Sequence, residues 1–180
     1  MLPLYIFEPR YRLMLARALE GHRMFAVGLC EDGQVAEIGG AGVVRACVGN
    51  EDGTSNLVLQ GVCRVRFSEW SDAYPFPDAR VEPLTTIKGD SALAKALRRE
   101  ILDLLEGRGG GESLLPAHVF AYLERCEEAE VFCDLASSCL VADAPVRYRL
   151  LEEEDLVKRL EILAAYLSAL PAFGSAGPTA

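Results

Sequence analysis

The chain has 180 residues, 51% of them apolar and 25% charged, and its 27 acidic against 18 basic side chains leave a formal charge of −9. That length and apolar content suit one globular domain or two intimate lobes and exclude disorder as the main state. The acidic balance disfavours nucleic acid as a partner, because phosphate backbones are bound by clustered cations. Apolar stretches are broken by Arg, Asp, Pro or Gly well short of the roughly 18 residues a membrane span needs, and no basic-then-apolar leader follows Met1. The expectation is a cytoplasmic protein with no membrane partner.

The first predicted helix opens at Pro9, a residue suited to a first helical position, and carries Tyr11, Met14, Leu15, Ala18 and Leu19 at helical spacing up to a stop at Gly21. Short strands are predicted over 24–30, 43–48, 57–60, 63–67 and 79–81, each fenced by Gly, Asp or Pro. In the fourth, Cys63, Val65 and Phe67 alternate with Arg64 and Arg66, which predicts one buried and one wet face. Asn50 to Asn56 is a cluster of turn residues centred on Gly53 and predicts a hairpin. Gly39, Gly40 and Gly42 lie between strand-like runs and read as a bulge or bend.

After Ser91 the period becomes helical. Leu93, Leu97, Ile101, Leu104 and Leu105 share a face up to Gly107, and 108–111 reads as a flexible joint. Pro116 opens a second helix carrying Val119, Phe120 and Leu123, and a third places Phe132, Leu135, Ala136, Cys139 and Leu140 on one stripe. In the last, Glu152 to Asp155 fill the first turn, and Leu156, Leu160, Leu163, Leu167 and Leu170 recur at steps of four and three before Pro171. The expectation is an α+β chain with a β-rich lobe over 1–88, a helical lobe over 89–170 and a disordered tail over 171–180.

Motifs for chemistry are few. No Gly-Lys pair exists for a phosphate-binding loop, only three of the 18 cations are lysines, and the glycines near 40 lead into Val43-Val44 and not into a helix N-terminus. Six cysteines, at 30, 47, 63, 126, 133 and 139, contain no C-x-x-C, and with His22 and His118 as the only histidines no closed zinc site is indicated. Cys47, Cys63, Cys133 and Cys139 share faces with Val, Leu and Phe and read as buried, reduced thiols. No calcium loop accompanies the acidic run, which reads as a solvated cap. Neither metal nor cofactor is expected.

Three segments rise above this background: Met1-Leu-Pro-Leu-Tyr-Ile-Phe-Glu-Pro-Arg-Tyr-Arg-Leu-Met14, then Glu37 to Val44 leading through Asp52-Gly53 to Leu57–Phe67, and Tyr74 to Leu84. Together they resemble the N-terminal substrate-binding domain of Lon proteases, and Cys133 to Leu163 is similar to that domain's helical part. The resemblance implies a PUA-like β pseudo-barrel followed by a helical bundle, and a non-catalytic role in recognising polypeptide clients, with a protease or chaperone as the machine served. The ATPase and peptidase modules that follow this domain in the protease do not occur in the 180 residues. Family members begin some 15 residues earlier with an apolar strand. Its lack implies either a start upstream of Met1 or an open sheet edge through which the chain could form homo-oligomers.

Two roles follow for the first segment. In one, Tyr5 and Phe7 pack into the barrel, and Glu8 with Arg10 fixes the strand-to-helix corner. In the other, Phe7, Tyr11, Tyr74 and Phe76 form an apolar client-binding surface rimmed by Glu8 and Arg10. The alternatives are a PUA-like RNA-binding module, hinted at by Arg64 and Arg66 with Arg45 or Arg80, and a small thiol-dependent hydrolase that would need a cysteine beside a histidine.

Overall fold

In the computed structural model, which describes residues 1–107 and 115–170, the chain falls into two units, Met1–Leu84 and Thr85–Ala180. The first contains β1 (Leu2–Ile6), α1 (Pro9–Glu20), β2 (Met24–Glu31), β3 (Gln34–Gly49), β4 (Ser55–Ser71) and β5 (Asp78–Pro83). The second contains α2 (Ser91–Leu105), α3 (Ala117–Glu124), α4 (Ala129–Leu140), α5 (Ala144–Glu152) and α6 (Leu156–Ala169). The architecture is α+β, as expected.

All pairings in the five-stranded sheet are antiparallel; its order is β1-β4-β3-β2, with β5 also pairing β4. β4 is the spine. One edge carries β3 from Ser55 to Arg66, and the other carries β1 against Ser55–Leu59 and β5 against Val65–Ser71. The two strands expected over 57–60 and 63–67 are thus one strand of 17 residues. Gly61 does not end it, because the register shift opposite Ala41 and Gly42 absorbs the irregularity as a bulge. For the same reason β3 starts at Gln34 and not near Val43: its glycines sit inside the strand. Gly39 is small because the Phe67 ring lies over it, and Gly42 because Leu59 does.

The core of this unit is Ile6, Leu15, Val44, Leu57 and Leu59, with Leu4, Tyr11, Leu19 and Phe25 packed against it. α1 supplies Leu15 and Ala18 as its buried residues, and Pro9 occupies its start as predicted. The expected hairpin is the β3–β4 connection. Gly53 takes a φ of 80°, and the Asn50 amide donates to Thr54 Oγ1 at 2.8 Å. Asp52 Oδ1 accepts from the Thr54 backbone N–H at 2.9 Å and its hydroxyl at 2.7 Å.

The helical unit buries Ile101, Leu105, Phe132, Cys133, Leu160 and Leu163 completely. Aspartates start three of its helices: Asp90 accepts from Ala92 and Leu93 N–H, Asp143 from Val146, and Asp155 from Val157 and Lys158. Each cap satisfies donors that the first helical turn leaves unpaired. Two expectations need correction here. Glu152 ends α5, and Glu153 and Glu154 link it to α6, so only Asp155 serves the α6 start. α5 itself was not predicted; it buries only Leu150, which leaves no apolar period to read. The leucine stripe of α6 holds from Leu156 to Leu167. The expected joint at 108–111 and the tail at 171–180 lie outside the described residues.

The cysteine reading is half right. Cys133 is buried and Cys47 partly so, but Cys63 and Cys139 are exposed, as is Cys30. A thiol on the apolar side of a strand or helix is buried only where another layer covers it, and nothing covers those two.

Candidate binding surface

β1 and α1 meet at a corner set by the sequence Phe7-Glu8-Pro9. The residue before a proline is driven to extended backbone, and Glu8 has φ −65° and ψ 135°. The Glu8 carboxylate accepts from Arg10 Nε at 2.9 Å, and the Arg10 guanidinium lies 4.6 Å from the centre of the Tyr11 ring. The corner pair of the first role is therefore present. Its packing is not: Tyr5 and Phe7 are 54% and 57% exposed and stack on one another outside the core, centroids 5.8 Å apart. Strand alternation explains this. Leu4 and Ile6 face α1 and the core, which sends Pro3 and Tyr5 to the opposite side.

On that side the register sets apolar groups in rows. Pro3 and Ala46 flank Val58, and Tyr5 and Val48 flank Asn56. The result is an open, shallow recess of about 420 Å³ walled by these residues. Val48, at 64% exposed, stands free at its margin. The β3–β4 turn borders it in sequence on both strands. Hydrogen bonds from Thr54, assisted by the Arg12 guanidinium of α1, hold the Asp52 carboxyl below its usual value of 3.8.

The remaining candidates lie elsewhere. Tyr74 and Phe76 stack in parallel at 5.0 Å, with Phe76 only 8% exposed. Arg17 lies 4.2 Å from the centre of the Tyr74 ring and donates from Nη2 to its hydroxyl at 2.7 Å. Arg10 and Arg17 are seven residues apart on α1, about 10 Å along a helix rising 1.5 Å per residue. The structure thus groups Phe7, Glu8, Arg10 and Tyr11 at the start of α1 and Tyr74 and Phe76 towards its end. It does not merge them into one patch. Ala46, Val48 and Val58 were not singled out from sequence; the only local signal was the all-apolar alternate face Val44, Ala46 and Val48 of the 43–48 run, and Val58 joins them only through the pairing of β3 with β4.

Two of the four arginines that hinted at RNA are engaged with carboxylates: Arg66 pairs with Glu37, and Arg80 with Glu69 at 3.1 Å. His22 is also occupied, its Nδ1 accepting from the Met24 N–H at 3.2 Å. Among the described residues no three His, Cys, Asp or Glu side chains converge as metal ligands, and no helix is long and apolar enough to cross a membrane.

An open apolar recess on an antiparallel sheet is a surface suited to contact with other apolar groups. The model of the ATP-dependent protease La (LON) substrate-binding domain matches residues 1–169, and the chain belongs to that family. It is similar to Lon protease 2 of Herpetosiphon aurantiacus, 26% identical over 135 residues that cover 75% of this chain and 17% of that protein. It is likewise similar to Lon protease of Phenylobacterium zucineum, 29% identical over 136 residues, 71% of this chain and 16% of that one. The chain therefore spans about a sixth of the length of these relatives. Its fold matches the N-terminal domain of Mycobacterium avium complex Lon protease, with a TM-score of 0.72 at 14% identity and coverage of 93% and 90% of the two chains. It also matches a Lon N-terminal domain protein from Xanthomonas campestris, with a TM-score of 0.61 at 21% identity and coverage of 94% and 89%.

Proposed function

We propose that this chain is a non-catalytic, cytoplasmic recognition module that binds polypeptide segments exposing apolar side chains, for use by a protease or chaperone. Its N-terminal unit is read as a PUA-like curved sheet and its C-terminal unit as a helical bundle. The recess walled by Pro3, Tyr5, Ala46, Val48 and Val58 carries the proposal. Unfolded chains present apolar groups irregularly, so an open apolar surface with a polar border captures many of them where a closed pocket would select one. The Tyr5–Phe7 stack enlarges this surface, and the Glu8–Arg10 pair supplies its polar border.

The test is fluorescence anisotropy with a labelled, permanently unfolded polypeptide. Half-burying Tyr5 against a client is worth about 1 kcal/mol, so Tyr5→Ser should weaken binding roughly fivefold, with Val48→Ser adding to the loss. Both side chains are exposed, so neither change should lower thermal stability appreciably. Unaltered affinity in the Tyr5→Ser/Val48→Ser double variant rejects this recess as the site. Comparable loss on Tyr74→Ser would move the site towards the end of α1.

A further inference from the structure

The three sheet edges are protected unequally. β5 carries Asp78, Arg80, Glu82 and Pro83, charges and a proline of the kind that discourage a further strand from adding. β1 is five residues long and contains Pro3. β2, at the end of the strand order, has neither defence: from Met24 to Cys30 it holds no charge and no proline, and among the described residues it pairs with β3 alone. The irregularity between Gly28 and Cys30 places its extra residues on β3, where Val35 and Gly39 are the flanking partners, so β2 remains an uninterrupted eight-residue run. Val27 and Leu29, 40% and 43% exposed, stand on it, Val27 opposite Gly40, where even an added Cβ would meet no atom within 4 Å.

Charge decides what fits this edge. Arg23 precedes β2 directly, and Glu31 and Asp32 close it, so the run is positive at one end and negative at the other. A strand of the same sequence running antiparallel presents the inverse order. Turned about a two-fold axis through Val27, Val27 meets Val27 and Phe25 meets Leu29, while Arg23, at φ 59° just before the strand, lies at the end of one copy nearest Glu31 of the other. Apolar groups then face apolar groups, and each end charge meets its opposite, the pairings that favour cross-strand contact.

We propose that β2 is a self-association edge, on which a second copy of this chain adds its own β2 antiparallel and in this register to form an isologous dimer. A client strand of arbitrary sequence could use the same backbone groups, but a second copy always brings the opposite charge to each end. Strand pairing alone makes a small interface, below the roughly 1,200 Å² of standard complexes, so the dimer should be reversible and concentration-dependent.

Sedimentation velocity on the full chain from about 5 to 500 μM tests this, since edge pairing of that size belongs in the weak class. The weight-average sedimentation coefficient should rise from monomer towards dimer over that range. Val27→Lys should shift the midpoint at least tenfold upward without lowering the melting temperature, and Leu29→Lys should do the same. Arg23→Glu should weaken association, and the exchange Arg23→Glu/Glu31→Arg should restore it. A monomer at every concentration, a dimer indifferent to both lysine variants, or a charge exchange that fails to restore association would each overturn the proposal. Binding of an unrelated extended peptide at β2 by a chain that stays monomeric would also do so.

Discussion

Adjacent glycines in β3 should respond to the same substitution with opposite signs. A Cβ on Gly39 would lie 2.5 Å from both the Val27 carbonyl oxygen and Phe67 Cε2, and 2.8 Å from Phe67 Cζ, whereas one on Gly40 meets nothing within 4 Å. Neither glycine has a positive φ, so the contrast is one of space and not of backbone strain. Normal carbon contacts need about 3.5–4.0 Å, so in Gly39→Ala something must move by about 1 Å. The carbonyl belongs to a paired strand, and the Phe67 ring is stacked on Trp70 with centroids 5.5 Å apart, so neither yields freely. Overpacking of this kind costs about 1–3 kcal/mol, and disturbing the ladder adds about 1. Against this, alanine reduces the freedom of the unfolded chain by about 0.4–1 kcal/mol, a gain that Gly40→Ala receives without the penalty. The expected changes are a loss of about 2–3 kcal/mol for Gly39→Ala and a gain of up to about 1 for Gly40→Ala. Trp70, the sole tryptophan, sits against Phe67 in this unit and reports its urea unfolding by fluorescence. If the two variants unfold within about 0.5 kcal/mol of one another, the reasoning from contact geometry is refuted.

Two further outcomes follow from the turn and the thiols. The Asp52 carboxyl is held below its ordinary value of 3.8 by Thr54, so its contribution to stability is complete above that pH and is lost as pH falls through the lower native value. Urea unfolding between about pH 2 and 5 should show a stability slope that flattens in Asp52→Asn; an identical slope would contradict the assignment. With an aromatic disulfide reagent under native conditions, Cys30, Cys63 and Cys139 should react quickly and Cys133 only on unfolding. Equal rates for Cys133 and Cys139 would show that α4 opens far more readily than its buried stripe implies.

What the sequence disclosed follows from where each feature stores its signal. α1 and α6 were legible because their apolar residues repeat at helical spacing and the caps lie beside them: Pro9 and Gly21 for the first, Asp155 for the second. α5 offers one buried leucine, so its period is silent, and only Asp143 and Pro145 mark its start. The β3–β4 hairpin was readable from Asn50 to Asn56, but its long arms were not, because Gly39, Gly42 and Gly61 look like punctuation until their cross-strand neighbours are known. The recess was hidden for the same reason. Pro3, Ala46 and Val58 are remote in sequence and become neighbours only through the pairing of β1 and β3 with β4, while Tyr5 was assigned to the interior because alternation alone does not say which face is covered.

The role of β4 as a spine also dictates an order of assembly. Its pairing with β3 closes through the short loop from Asn50 to Thr54, a local event of the kind completed in microseconds. β1 must instead find Ser55–Leu59 across some fifty intervening residues, and the entropy of that closure is recovered only once a partner strand already exists. On closure entropy alone the hairpin is the cheaper nucleus and the pairing of β1 the costlier addition. Because β1 carries Pro3 and Tyr5, one wall of the recess depends on this long-range pairing, while every strand that lines it lies within the first 71 residues, so the recess needs nothing from the helical unit to form.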